Sequence, residues 1–296
     1  MAGGQQYTDT IPKDTGHIAR ILYETSNLMS VGTTISPVVM HDDEHIDIPW
    51  TTGVNGVTDV AKDHDVNFKN LVFTTISGDM KWTKYPYMIT DSAKLKSVDK
   101  NVKQKSLTSA SEYLAYGLDN HILTKLVAGV GQTVNAPLVW SNSGADIEKD
   151  IKDIWQACAA NSNANSAEVM NCYLVVPMDV FAEVKSLQLI NNITTDYETY
   201  FGKTFGLKIL PSRDYGSGTA LVNKALFLFS GDNTSVTFRY NPAAAAAKGV
   251  PLVEAWREGS KGDAYIAQQA QFTAIIEDSA GAGTTNRIGI IEGVRA

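Results

Sequence analysis

The sequence predicts a mixed α+β fold, on three observations. β-type alternation fills residues from about 34 to 90, one long amphipathic helix follows, and an α/β block from 144 to about 235 gives way to long strand-like stretches that run to the end. At 296 residues the chain can bury a sizeable core and is long enough for two domains. A hydrophobic share of 44% with 19% charged residues marks a globular composition and not a disordered one. The formal net charge of −7 argues against a general nucleic-acid binder, which needs a basic excess to neutralise phosphates.

Residues 1–30 are polar, with Ile18, Ile21, Leu22 and Leu28 spaced for one short helix, and read as an arm outside the core. "HIDIPW" alternates Ile46, Ile48 and Trp50 against His45, Asp47 and Pro49. "FKNLVFTTI" and "DMKWTKYPYMI" continue in β-branched and aromatic residues, broken by turns at "TGVNG" and "SGD". The expectation is an extended β-hairpin whose polar middle, "TTGVNGVTDVAKDHDVN", has too little apolar surface to fold alone. In "SLTSASEYLAYGLDNHILTKLVAG", Leu107, Leu114, Leu118, Ile122 and Leu126 share one helical face. Ser109 and Glu112 have capping-box spacing, Gly129 is placed to end the helix, and Gly117 inside it predicts close packing.

Beyond it, "ADIEKDIKDIWQACAA" predicts an amphipathic helix with Ile147, Ile151, Ile154, Trp155 and Cys158 inward, followed by a loop at "SNANS". "VMNCYLVV" reads as a buried strand, and Pro177 introduces a short helix, "MDVFAEVKSL". "FGLKILPS", "KALFLFS", "DAYIAQQAQFTAIIED" and "NRIGIIEGV" are the later strands. The two cysteines, Cys158 and Cys172, fall on a helical and a strand-like pattern and read as small buried hydrophobes, not a bridge. The opening residues show neither a basic n-region nor an apolar h-region, and no apolar run reaches spanning length, so the expectation is a chain made in a reducing cytoplasm.

"HDDEH", residues 41–45, concentrates potential ligands: His41 and His45 stand four apart with three carboxylates between them. On a helix that separation serves a two-histidine metal site. Here an alternating strand and Pro49 follow directly, and a strand would put His41, Asp43 and His45 on one side with roughly 6.6 Å between alternate residues. A charged turn feeding a hairpin fits better. No nucleophile elbow, Walker loop or dinucleotide-binding glycine fingerprint occurs, and "GSGTALVNK" lacks the spacing of a phosphate loop. No catalytic residue, metal or cofactor is assigned, and by elimination the chain reads as a non-enzyme.

The segment "ITDSAKLKSVDKNVKQKSLTSASEYLAYGLDNHILTKLVAG" (89–129) resembles the stretch leading into the spine helix of the HK-ninety-seven-type major capsid protein of tailed bacteriophages, a fold shared with encapsulins. Its cadence is Leu114, Ala115, Leu118, Asp119, Asn120, Ile122 and Leu123. "YLVVPMDVFAEVKSL" (173–187) is similar to the strand and helix at the base of that family's axial domain, and "FGLKILPSRDYGSGTALV" with "LFLFSGDNTSVTFRYNP" resembles its later strands. The resemblance implies an N-terminal arm at 1–33, an extended loop at 34–80, and a peripheral domain at 81–137 and 239–296 with the spine helix at 106–129. The axial domain would occupy 138–238, and the C-terminal strands would return to the peripheral domain.

The function so implied is a structural protein that self-assembles, as pentamers and hexamers, into an icosahedral shell around phage double-stranded DNA, in the virion and, during assembly, in the host cytoplasm. Scaffolding, portal and decoration proteins are candidate partners, the packaged DNA touches the shell only by weak non-specific contact, and no membrane is involved. Some family members crosslink through a loop lysine; Lys62 and Lys69 match no motif for it, so an uncrosslinked shell is expected.

The loop is acidic, with Asp42, Asp43, Glu44, Asp47, Asp59, Asp63 and Asp65 against Lys62 and Lys69. The stretch before the spine helix is basic, with Lys94, Lys96, Lys100, Lys103 and Lys105 against Asp91 and Asp99. The acidic loop of one subunit is therefore expected on the basic stretch of the next, where exposed pairs worth about 0–1 kcal/mol each set orientation. Trp50, Phe68, Phe73 and Trp82 would supply apolar burial at about 25 cal/mol per Å². The rivals are an encapsulin-type compartment, a metal-dependent hydrolase using His41, Asp43 and His45, and a small binding protein on an unrelated α/β scaffold.

Overall fold

The computed structural model describes residues 15–51, 73–96, 102–162, 164–186, 197–213, 219–230, 234–250, 252–259, 261–276 and 283–295. Helices α1 (Thr15–Met29) and α2 (Gly32–Ile35) lead into β1 (Val38–His41), β2 (His45–Thr51), β3 (Phe73–Asp79) and β4 (Lys81–Thr90). Helix α3 (Asp91–Lys96) precedes α4 (Val102–Ala128), and β5 (Val130–Asn135) follows it. The middle of the chain runs α5 (Ile147–Asn161), α6 (Ser166–Val169), β6 (Cys172–Pro177), α7 (Met178–Ser186), α8 (Tyr197–Phe205), β7 (Leu207–Ser212), β8 (Lys224–Phe229) and β9 (Ser235–Tyr240). It closes with α9 (Pro242–Ala247), β10 (Val253–Glu258), β11 (Gly262–Ile275) and β12 (Thr285–Glu292).

One sheet has the order β1-β9-β11-β10, with β4 also paired antiparallel to β11 from Lys81↔Gln271 to Thr90↔Gly262. The other has the order β5-β12-β8-β6-β7. Strands β2 and β3 form the expected hairpin as a two-stranded sheet, in register from His45↔Asp79 to Thr51↔Phe73.

The second sheet is covered on both faces, which is why "CYLVV" and "ALFLF" are continuous apolar runs and not alternating ones. Cys172, Leu174, Val176, Phe227 and Phe229 face α5, α7 and α8, and Tyr173, Val175, Leu226 and Leu228 face the second half of α4. Helix α5 starts where the Asp146 side chain accepts from the Lys149 amide at 3.0 Å, and buries Ile147, Ile151, Ile154 and Cys158 as its pattern predicts.

Helix α4 joins the two sheets. Its 27 residues span about 40 Å at 1.5 Å per residue. Ala110 and Leu114 pack with Ile18, Leu22, Ile89 and Tyr265 against the first sheet, whereas Leu118, Ile122, Leu123 and Leu126 pack against the second. A Cβ at Gly117, between these two halves, would stand 2.6 Å from Thr83 Cγ2, so the close approach inferred from the sequence is to β4.

Four expectations are corrected. Helix α4 begins at Val102 and not at 106, so Ser109 and Glu112 lie inside it and cap nothing. Residues 15–35 are not a loose arm: Ile18, Leu22 and Tyr23 lie on one face of α1, which α4 and β10 cover, and Ile35 of α2 is buried against Leu118 and Ile122. The strand expected from Val169 starts at Cys172, since Asn165 and Glu168 form a capping box that holds α6 ahead of it. Of the C-terminal strands, β10 and β11 join the first sheet, but β12 enters the second between β5 and β8. Ile288 and Ile290 pack on one side of β12 and Ile291 on the other, so this strand needs a central position with cover on both faces.

Candidate assembly interface

The hairpin is anchored at its base. Ile46 is fully buried with Met80, Val236, Phe238 and Ala270, and the Met80 amide donates to the Glu44 carbonyl at 2.9 Å. A Cβ at Gly78 would collide with the Phe272 ring, so only glycine lets β3 cross β11 this closely. Outward from the base, Asp47, Pro49, Thr75 and Ser77 are exposed, and Ile48 and Ile76 are half-buried. The hairpin therefore leaves the body with one weakly covered apolar edge and one polar face.

The acidic start of the hairpin is turned largely to its own chain. Asp43 pairs with Lys248, whose ammonium also donates to the Asp42 carbonyl at 2.6 Å, and Asn241 Nδ2 donates to Asp42 Oδ1 at 2.7 Å. The Lys248 ammonium holds the Asp43 carboxyl below its ordinary range. The ring of His41 lies edge-on to Phe238 with centroids 6.2 Å apart, and its Nδ1 contacts the Asp43 backbone. His45 Nδ1 lies 2.8 Å from Asp79 Oδ1. His41, Asp43 and His45 thus each face a different partner, and among the described residues no group of three histidine, cysteine or acidic side chains could hold a metal ion.

Of the other contact residues expected from the sequence, Glu44 and Asp47 are exposed, as is Lys105 on α4. Trp82 is half-buried, edge-on to Tyr240 at 6.0 Å, so much of its apolar area is already spent within the subunit. Asp59, Asp63, Asp65, Phe68 and Lys100 lie outside the described residues, as do the side chains of Trp50, Phe73, Lys94, Lys96 and Lys103.

Sequence reasoning missed other surface features. Tyr113, Tyr85, Tyr87 and Tyr265 stack in series at 4.5, 5.9 and 5.0 Å, and burial beside Tyr265 and Tyr85 pushes the Tyr87 phenol up to about 12. Tyr113 and Tyr116 on α4 and Val39 and Met40 on β1 remain exposed apolar side chains. Arg257 bridges Asp91 at 2.5 Å and Asp263 at 3.0 Å, tying α3 to the turn between β10 and β11. Only the alternation Tyr85, Tyr87 carried a sequence signal; the other pairs come from distant elements.

No family model and no curated protein matches the chain. Solved structures do match along nearly its whole length. A virus-like particle from Pyrococcus furiosus is 12% identical, covering 96% of this chain and 100% of that one, with a TM-score of 0.60. A phage-related protein from Bordetella bronchiseptica is also 12% identical, covering 93% and 96%, with a TM-score of 0.60. The capsid of Myoviridae phage XM1 is 15% identical, covering 86% and 89%, with a TM-score of 0.53. At these identities the likeness is one of fold.

Proposed function

We propose, for a chain that has the HK-ninety-seven-type capsid fold, that it is a shell subunit: a structural, non-enzymatic protein that assembles with copies of itself into an icosahedral particle of pentamers and hexamers around phage double-stranded DNA. The observation that carries this reading is the length of the structural likeness. It covers 96% of this chain against a virus-like particle. A hairpin whose Ile48 and Ile76 are only half covered by its own subunit suits an element completed by a neighbouring copy. Weak contacts repeated through closed symmetry then give a stable container, because each docked neighbour raises the effective concentration of the next. Negative-stain microscopy of the purified protein tests it: closed particles of uniform size support the reading, and isolated monomers refute it.

Within this reading the β5-β12-β8-β6-β7 sheet with α5, α7 and α8 is the axial unit, and the β1-β9-β11-β10 sheet with α4 is the peripheral unit. The loop's acidic side chains lie on a neighbour's basic stretch at 94–105, which ends in the first turn of α4. Glu44 and Asp47 carry the described part of that charge, since Asp42 and Asp43 already have partners in their own chain. Reversing Lys100, Lys103 and Lys105 to glutamate lowers particle yield at low salt, and an unchanged yield removes the electrostatic contact. An encapsulin-type compartment is the second reading, favoured by the Pyrococcus furiosus likeness. Particle contents separate the two: nuclease-protected DNA indicates a virion, and a bound cargo protein indicates a compartment.

A further inference from the structure

The N-terminal segment is held to the body by two ionic side chains that have only neutral partners, Arg239 buried and Asp119 half-buried. Arg239, on β9, is 1% exposed. It donates to the side chains of Asn27 and Gln269 and, at 3.4 Å, to Ser26 Oγ, and stacks 4.1 Å from the Tyr23 ring. Its Nε has no protein partner, and the guanidinium lines a cavity of about 10 Å³, room for one water, between α1, Leu114 and β11. Asp119, on α4, accepts from Ser30 Oγ at 2.5 Å and from the Gly32 amide at 2.7 Å. Among the described residues neither group forms an ion pair. Burial pulls the guanidinium down to about 10 and pushes the carboxyl up, so in both cases docking works against the charged form.

Apart from these groups, α1 is held by a short apolar face, Ile18, Leu22 and Tyr23, while Leu28 at its far end is 89% exposed. Undocking would uncover this face together with Ile35 and Val31, and would return the Arg239 guanidinium and the Asp119 carboxylate to water, which offsets part of what the contacts contribute. The two sheets share no strand with this segment, so no ladder has to break for it to leave.

We propose that residues 15–35 form a clasp, fastened at Asp119 and Arg239, that opens as a unit while both sheets stay folded. The opening exposes the buried face of α1, Ile35, and the side of α4 they cover from Ala110 to Ile122, a conformational step available to the subunit without unfolding.

Native-state hydrogen exchange on the purified protein tests this directly. Amides of 18–35 should share one opening constant larger than that of β6 and β8, the centre of the second sheet. Asp119→Ala, which removes the acceptor of two hydrogen bonds, should raise the clasp's opening constant at least about tenfold and leave β6 and β8 unchanged. Asp119→Asn keeps the acceptor without the charge and should leave the opening within about threefold of the parent, or lower it. The inference is overturned if residues 18–35 exchange only with β6 and β8, or if Asp119→Ala moves all regions equally. The parent protein alone decides the first point, whatever the variants do.

Discussion

Ile46 is the residue on which the hairpin's position depends, and its truncation has a magnitude that can be worked out. The side chain is fully buried among Met80, Val236 and Phe238, on the strand face opposite the exposed Asp47. Ile46→Ala deletes three carbons, worth about 2.4 kcal/mol at about 0.8 kcal/mol each. The cavity left in a cluster tied to β9 and β11 adds to that, giving about 3–4 kcal/mol in all. For a domain of this size the melting midpoint of the dissociated subunit should fall by about 6–8 °C by circular dichroism. Asp47→Ala, one residue on, should stay within about 0.5 kcal/mol of the parent. In the shell reading a hairpin loosened at its base also meets its neighbour less often, so particle yield by light scattering should fall for Ile46→Ala at fixed protein concentration. A variant that melts within 2 °C of the parent at unchanged yield, on a scale where ~1 kcal/mol moves the midpoint by about that much, would refute the anchoring argument.

Two further outcomes are expected. A Cβ at Gly289 would stand 2.6 Å from Ile154 Cδ1 and 2.8 Å from Cys158 Sγ, so Gly289→Ala should cost about 1–3 kcal/mol in urea unfolding, and a neutral result would mean that α5 can lift from β12 without loss. Asp150 is buried and accepts from Trp140 Nε1 at 3.0 Å, and burial raises its carboxyl above the ordinary value of 3.8. The folded state then holds its proton longer than the unfolded one, so this residue's contribution is largest below pH 3.8 and is lost as pH rises through the raised folded value. Asp150→Asn should flatten that part of the pH–stability curve, and a slope equal to the parent's would show that the burial penalty is not felt.

Elements whose residues bury by their own periodicity were legible in the sequence. The face of α5, the runs of β6 and β8 and the hairpin pairing of β2 with β3 all follow from spacing. What was not legible depends on distant partners. The expected arm packs into the core because α4 and β10 meet Ile18 and Leu22, a meeting that no local pattern in "HIARILYE" encodes. Capping-box spacing at Ser109 and Glu112 misled because those residues face solvent inside a helix that already starts at Val102, directly after Asn101, a residue type that favours helix starts. The acidic run at 42–44 looked free for a neighbour because its partners, Asn241 and Lys248, stand about two hundred residues away beside an alanine run that carried no evident role.

The crossing of strands between the two sheets bears on how such a subunit could change shape. Strand β9 comes from the end of the 138–238 block yet pairs with β1 and β11 in the first sheet, and β12 comes from the C-terminus yet sits between β5 and β8 in the second. Helix α4 is packed into both through Leu114 on one side and Leu118, Ile122 and Leu126 on the other. Moving one sheet against the other would strip this helix from one of them and uncover its buried leucines, which costs more than a subunit can supply without unfolding. The elements outside that lock are the hairpin, anchored only at its base, and the clasp at 15–35, fastened by polar contacts. A shell built from these subunits would therefore adjust at its hairpins and N-terminal helices and carry the two sheets as one rigid piece. Crosslinking β5 to β12 should leave assembly intact, whereas tethering α1 to α4 should not.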